Sequence, residues 1–542
     1  MIVSNDKYAS GYHDGIVLDT LERSLSSLRG LIKFRLRRAF ESLTCTCARG
    51  INCRARAAKL RMLFTQPIFL FLFLPLVWTL HSAAPRRFRN VVLLAASCLF
   101  YAWGEKGYVL VLFASILLNY SIGRAIAARE GPRERWLLLG IGITGNLLLL
   151  SVFKYPSFLF LNLNRALELF QFQRLRVPYP HVPLGLSFFS LMGMSYLFDL
   201  YREQFVAERR LGRLSLYLML FPYVAAGPIV RYADIARDLS ERHLRLEQMA
   251  TGIRRFIIGL GKKMLIANTL ALTVDSVFTM PAAHLSPQMA WLGIVSYTLQ
   301  LYFDISGYAD MAIGLGLMLG FKFPENFNYP FIAQSMTDFW KRWHITLVSW
   351  FRDYLFFPLS YRRPVWRIHL NLLIVFLLCG LWHEGSWRFI AWGLAHGSLL
   401  AIERSGFGRQ LLKWPRALRH LYVLLALLAT SVFVRSPSFP EAVRYLGRMI
   451  GIGAWSAATN ASAYMTREWF AAFVIGLIGC LPLMPLIHRW QAQFNERFDN
   501  WGGRLVNIFF GSVRLATLAL IFLASAALSA AGTYRAFIYF QY

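Results

Sequence analysis

Gly380-Leu-Trp-His-Glu-Gly-Ser-Trp-Arg-Phe-Ile-Ala-Trp-Gly-Leu-Ala-His-Gly-Ser398 is a tryptophan-rich apolar stretch with an ionisable side chain, His383, where one apolar segment ends and the next begins. The runs on either side, near 368–383 and 387–403, approach the length a bilayer demands and are read as membrane-embedded helices. A polar side chain near the bilayer interior is costly and is taken as functional by default. Imidazole is also the side chain best suited to moving a proton near neutral pH. Two readings of His383 stand: a proton-transfer group, or a ring that hydrogen-bonds the end of its own helix.

The rest of the chain agrees with the membrane reading. Of 542 residues 56% are hydrophobic, 15% aromatic and only 16% charged, whereas about a quarter of residues are charged in an ordinary soluble protein. The net charge of +30 does not point to nucleic acid, because the Lys and Arg lie between apolar runs rather than on one compact face. That is the pattern of cytoplasmic loops and of interfacial helices resting on anionic lipid. The six cysteines make no disulfide framework: Cys98, Cys379 and Cys480 fall singly in apolar runs, and Cys45, Cys47 and Cys53 lack a histidine at zinc-ligand spacing.

Residues 1–61 are polar and basic, with a short basic amphipathic stretch around Leu28–Phe40, and are read as a basic N-terminal extension that is either a poorly ordered cytoplasmic tail or lies upstream of the true start. Met62 opens the first apolar run and is taken as the functional start, because basic loops at Arg86–Arg89 and Arg124–Arg135 orient the chain so that a basic tail would lie on the wrong side. A cleaved signal peptide is not indicated. Further spans are expected near 90–103, 107–123, 136–153, 183–201, 419–434, 467–486 and 508–530. Residues 214–230 are apolar but basic on both flanks, with breaks at Pro222 and Gly227-Pro228, which predicts a segment that dips in and returns beside a cavity. Residues 252–274 read as a helix running from the interface into the bilayer. In the run 291–319, Asp304 and Asp310 either line that cavity or pair with neighbouring basic residues. The fold class is an all-α polytopic membrane protein, with about a dozen embedded helices, re-entrant and interfacial ones included, around a central channel.

A second histidine lies in Asp338-Phe-Trp-Lys-Arg-Trp-His-Ile-Thr-Leu-Val-Ser-Trp-Phe-Arg-Asp-Tyr354. Trp340, Trp343, Leu347, Trp350 and Tyr354 recur at helical spacing, which predicts one helix with His344 on its apolar side. An interfacial helix with an incidental histidine is the alternative.

Taken together, these residues resemble the membrane-bound O-acyltransferase family, in its bacterial branch of alginate O-acetylation proteins. The pieces are Pro183-Leu-Gly-Leu-Ser-Phe-Phe189, Ser195–Arg202, Phe221–Arg231, Leu301–Gly314, Phe323–Pro330, Phe339–Leu347, Leu381-Trp-His383, Trp392-Gly393, His396-Gly397 and Phe537–Tyr542. Met62–Tyr542 is the part that matches. The resemblance implies that His383 is the catalytic histidine and His344 the second histidine of the reaction channel. Where the family carries a small residue after Trp-His, this chain has Glu384, which either orients an imidazole or faces water.

An acyl thioester is already activated, so transfer to an alcohol needs a base, positioning and oxyanion stabilisation. In this scheme His383 is the base, and His344 or an indole N–H of the Trp-rich helix holds a reactant or the oxyanion. No permanently bound cofactor is expected and no metal site is read, since neither histidine has a convincing third ligand. The resemblance implies acetyl-CoA as donor, an exported polysaccharide as final acceptor, a separate periplasmic acetyltransferase or modification complex as partner, membrane lipid as surroundings, and the bacterial inner membrane as location. D-alanyl or lipid acyl transfer within the same family, and an acyl-group transporter without chemistry of its own, are the competing functions.

Overall fold

The computed structural model describes residues 62–281, 284–453, 460–483, 485–487, 489–490, 493 and 501–532. The expectations for residues 1–61 and for Phe537–Tyr542 lie outside them. The described residues are helical, with no strand among them, and six helices are long and apolar enough to cross a membrane. These are Arg86–Ala127, which a turn at Lys106 divides into Arg89–Glu105 and Val109–Ala127, and Pro132–Lys154, Leu246–Phe278, Val365–His383, Arg416–Arg435 and Val506–Ala530.

Without water to compete for them, backbones and polar groups must find partners inside the protein. Asn119 and Asn146 exchange side-chain hydrogen bonds of 3.1 and 3.0 Å across the helices Val109–Ala127 and Pro132–Lys154. The 32-residue helix Pro287–Met318 starts at Ser286, whose hydroxyl accepts from the Met289 amide, and packs along Leu246–Gly261. Two reciprocal glycine pairs set their separation. A Cβ on Gly252 would lie 2.6 Å from the Gly314 carbonyl oxygen, and one on Gly259 would lie 2.6 Å from that of Gly307.

The same interface answers the question of Asp304 and Asp310. Asp304 pairs with Lys263 at 2.6 Å, both buried, and Asp310 pairs with Lys262 at 2.7 Å and Arg255 at 3.0 Å. Three of the four basic residues of the 252–274 segment, Arg255, Lys262 and Lys263, are therefore ion-pair partners within the bundle. Breaking the fully buried Asp304–Lys263 pair costs about 3–5 kcal/mol.

The 214–230 segment is broken at the point where its prolines and glycine fall. Helix Leu211–Met219 stops at Leu220, a four-residue turn Phe221–Val224 follows, and an irregular buried stretch leads to Arg231. Protein groups take up the exposed amides: Phe221 N–H donates to the Ser97 hydroxyl at 3.0 Å and Ile229 N–H to the Thr346 hydroxyl at 2.9 Å.

One helix expected from periodicity is two. The chain forms Met336–Arg342, breaks at Trp343-His344, and resumes as Ile345–Phe351 before a π-helical turn Arg352–Phe356. His344 adopts left-handed backbone angles (φ 46°, ψ 48°), which cost roughly 1–2 kcal/mol for a non-glycine residue. The Asn326–Asn328 strip provides what offsets this. Asn328 N–H donates to the Arg342 carbonyl, Ile345 N–H donates to that of Asn326, and the Asn326 side chain accepts from the Thr346 amide and hydroxyl. These long-range bonds are invisible to spacing along the chain.

Candidate active site

His383 is the last residue of helix Val365–His383, which doubles back through Glu384–Ser386 into Trp387–Ile402. A helix end leaves carbonyls without intrahelical donors, and the Pro132–Lys154 helix delivers two. The Lys154 ammonium donates to the Trp382 carbonyl and to the Ser187 hydroxyl, and the Tyr155 hydroxyl donates to the Leu381 carbonyl at 3.1 Å. Lys154 also stands 5.5 Å from the Trp382 ring centroid. The backbone on the N-terminal side of His383 is thus fixed from another helix.

On its other side, Glu384 forms an ion pair with Arg388, whose buried guanidinium also donates to the carbonyls of Val434 and Ser436, each at 2.7 Å. Glu384 is thus tied to Arg388 and clamps the turn. Replacing Arg388 with methionine should leave Glu384 and two carbonyls without that donor, lowering stability by about 3 kcal/mol. Thermal unfolding of the detergent-solubilised variant would show this, and an unchanged midpoint would refute it.

The His383 ring is enclosed by Trp382, Trp392 and Phe389, with centroids at 4.9, 5.3 and 5.8 Å. It is half-buried and lines a pocket. The other walls come from distant parts of the chain: Thr298 on the long helix, Trp340 and Trp343, His396, and Ser431 on Arg416–Arg435.

His344 is buried and packs against Phe327. It does not form part of that pocket's wall, but its neighbour Trp343 does. The fold therefore gathers the two sequence-predicted histidines into one neighbourhood and opens the pocket to His383.

Sequence reasoning gave no role to His396, Lys154 or Arg388. His396 has both Trp340 and Trp392 beside it, at 5.2 and 4.8 Å, and the spacing Phe389, Trp392, His396 on one helical face was a usable signal. Lys154 looked like a loop cation, and only the fold shows what it caps.

The family model for membrane-bound O-acyltransferases matches residues 136–439. The probable alginate O-acetylase of Azotobacter vinelandii is 37% identical over 504 residues, covering 89% of this chain and 100% of that protein. The chain belongs to the membrane-bound O-acyltransferase family. This O-acyltransferase is a multi-pass membrane protein, and its likeness extends to other acceptors' enzymes. The peptidoglycan O-acetyltransferase of Helicobacter pylori is 33% identical over 75% of this chain and 84% of its own, and the teichoic acid D-alanyltransferase of Bacillus subtilis is 31% identical over 41% and 61%.

Proposed function

We propose that this O-acyltransferase moves an acetyl group from a cytoplasmic thioester donor, acetyl-CoA, towards hydroxyls of an exported polysaccharide in the bacterial inner membrane, with a periplasmic acetyltransferase as partner. Residues 62–542 form the working domain, with embedded, re-entrant and interfacial helices around a central channel. The observation that carries the reading is the placement of His383: held at both flanks, it lines a pocket with the buried aromatic donor Trp340, and His344 stands next to Trp343 of the same wall.

In the transfer step His383 takes the proton from the attacking hydroxyl while its oxygen bonds the thioester carbonyl carbon. The tetrahedral oxyanion collapses, the carbon–sulfur bond breaks, and the proton passes to the departing thiolate. His344, behind that wall, supports the site through its neighbour Trp343. The Trp340 indole N–H makes no hydrogen bond to the described residues and is a donor for the oxyanion. Trp340→Phe keeps the ring and removes that donor, so turnover is expected to fall about 10²-fold with little change in donor KM; equal turnover would remove Trp340 from the mechanism.

The test of function is chemical. A deletion strain is complemented with the wild-type chain, and the esters of its cell-surface polymers are identified by mass analysis. Acetyl esters on an exopolysaccharide are expected. D-alanyl esters would instead support the reading that the teichoic acid relative suggests, and restored esters on neither polymer class would reject both.

A further inference from the structure

A second cavity lies behind the first. It shares Trp340 with the His383 pocket. Phe376, packed edge-on against Trp340 at 5.1 Å, lines this second cavity beside it. The cavity is built from helical stripes. Leu372, Val375, Phe376 and Cys379 come from the membrane span Val365–His383, and Leu347, Val348 and Phe351 come from the helix that follows His344. From Leu372 to Cys379 the apolar wall extends for about 10 Å along the span.

Its charge is one-sided. Lys341, Arg352 and Arg404 line it, and no carboxylate does. Asp353 is shared between Arg352 and Arg231. Lys341 and Arg404 are exposed and have no carboxylate partner among the described residues. They also share one rim. Thr337 and Lys341 are one helical turn apart, and Glu403, the neighbour of Arg404, accepts from the Thr337 amide and hydroxyl.

That rim is the end remote from His383. A Cβ on Gly397 would lie 3.2 Å from the Leu373 Cα, so the two are level, and Arg404 is seven residues further towards the start of Val365–His383. Arg362, Arg363 and Arg367 crowd the same end, which the positive-inside rule places at the cytoplasmic face.

We propose that this groove is a binding site for an anionic phospholipid of the cytoplasmic leaflet. An acyl chain lies along Leu372–Cys379, and the phosphate sits at Lys341 and Arg404, with Arg352 flanking. Basic pockets between membrane helices on the cytoplasmic side select anionic head groups in this way. An apolar wall about 10 Å long suits part of a lipid tail, and Trp340 stands between that tail and the reaction pocket.

The test uses the full chain in nanodiscs or detergent, with phosphatidylglycerol and phosphatidylcholine as probes. Wild type is expected to retain phosphatidylglycerol through purification and to rebind it after delipidation in preference to phosphatidylcholine. Lys341→Gln/Arg404→Gln should bind it roughly thirtyfold more weakly, and inorganic phosphate should not compete. Val375→Trp, which fills the groove and leaves both cations, should lose the lipid as well; thermal midpoints confirm that each variant is folded. Equal lipid retention by the charge variant overturns the proposal. So does displacement of the lipid by acetyl-CoA, which would make the groove a path for a soluble donor. Because the readout is binding, it stands or falls separately from the role of His383.

Discussion

Replacing His383 with alanine is expected to lower acyl transfer by about 10²–10⁴, the usual contribution of a positioned general base. The loss should appear in turnover rather than in membrane abundance. The ring packs against Trp382, Trp392 and Phe389 in a pocket rather than within close-packed core, and the turn around it is held by other groups, Lys154, Tyr155 and Arg388. Quantitative blotting of membranes, alongside the ester content of the exopolysaccharide, separates the two effects. A His383→Ala strain that keeps ester content near wild type, at equal abundance, would remove the base from the mechanism. His344→Ala should also lose activity, through its neighbour Trp343 in the pocket wall.

The second large effect lies in the packing that carries His383. Val365–His383 and Trp387–Ile402 touch backbone to backbone: a Cβ on Gly380 would stand 2.2 Å from the Phe389 carbonyl oxygen, and one on Gly393 would stand 2.2 Å from that of Phe376. Neither obstacle is a flexible side-chain tip, so Gly380→Ala or Gly393→Ala must part the helices by about 1 Å, at roughly 1–3 kcal/mol. Small residues at such crossings are what allow close helix approach in a membrane. Because His383, Phe389 and Trp392 ride on these two helices, the displacement reaches the pocket directly, and a misplacement of this size costs about 10²-fold in rate. The expected result is a folded protein with a lower thermal midpoint and little activity. The two substitutions should not be additive, since they open one interface. A Gly393→Ala protein with wild-type midpoint and ester yield would show that the hairpin tolerates separation.

How far the sequence reaches can be judged from particular residues. Apolar run lengths placed most helices, because a bilayer imposes a length that composition reveals directly. The break at 220–231 was legible because Pro222 and Gly227-Pro228 are themselves breakers. The break at His344 was not, since no breaker stands there. Periodicity ran on through it, while the hydrogen bonds from Asn326 and Asn328 that stabilise the interruption come from another part of the chain. Asp304 and Asp310 showed the same limit: their cost in lipid was readable, but the choice between lining a cavity and pairing required knowing that Leu246–Gly261 lies against them.

The sequence by itself determined a helical membrane protein, its family, and two histidines worth testing, because hydrophobic length, charge placement and short ordered motifs are local properties. Only the tertiary structure decided that His383 lines a pocket while His344 lies beside it, that Glu384 belongs to Arg388, and that Lys154 caps the His383 helix. Lys154 and the Trp382 carbonyl are 228 residues apart and the pocket walls come from several helices, brought together by helix packing and the need to satisfy buried polar groups. The Glu384–Arg388 pair is local, and what the fold adds there is the tie from Arg388 to the Val434 and Ser436 carbonyls.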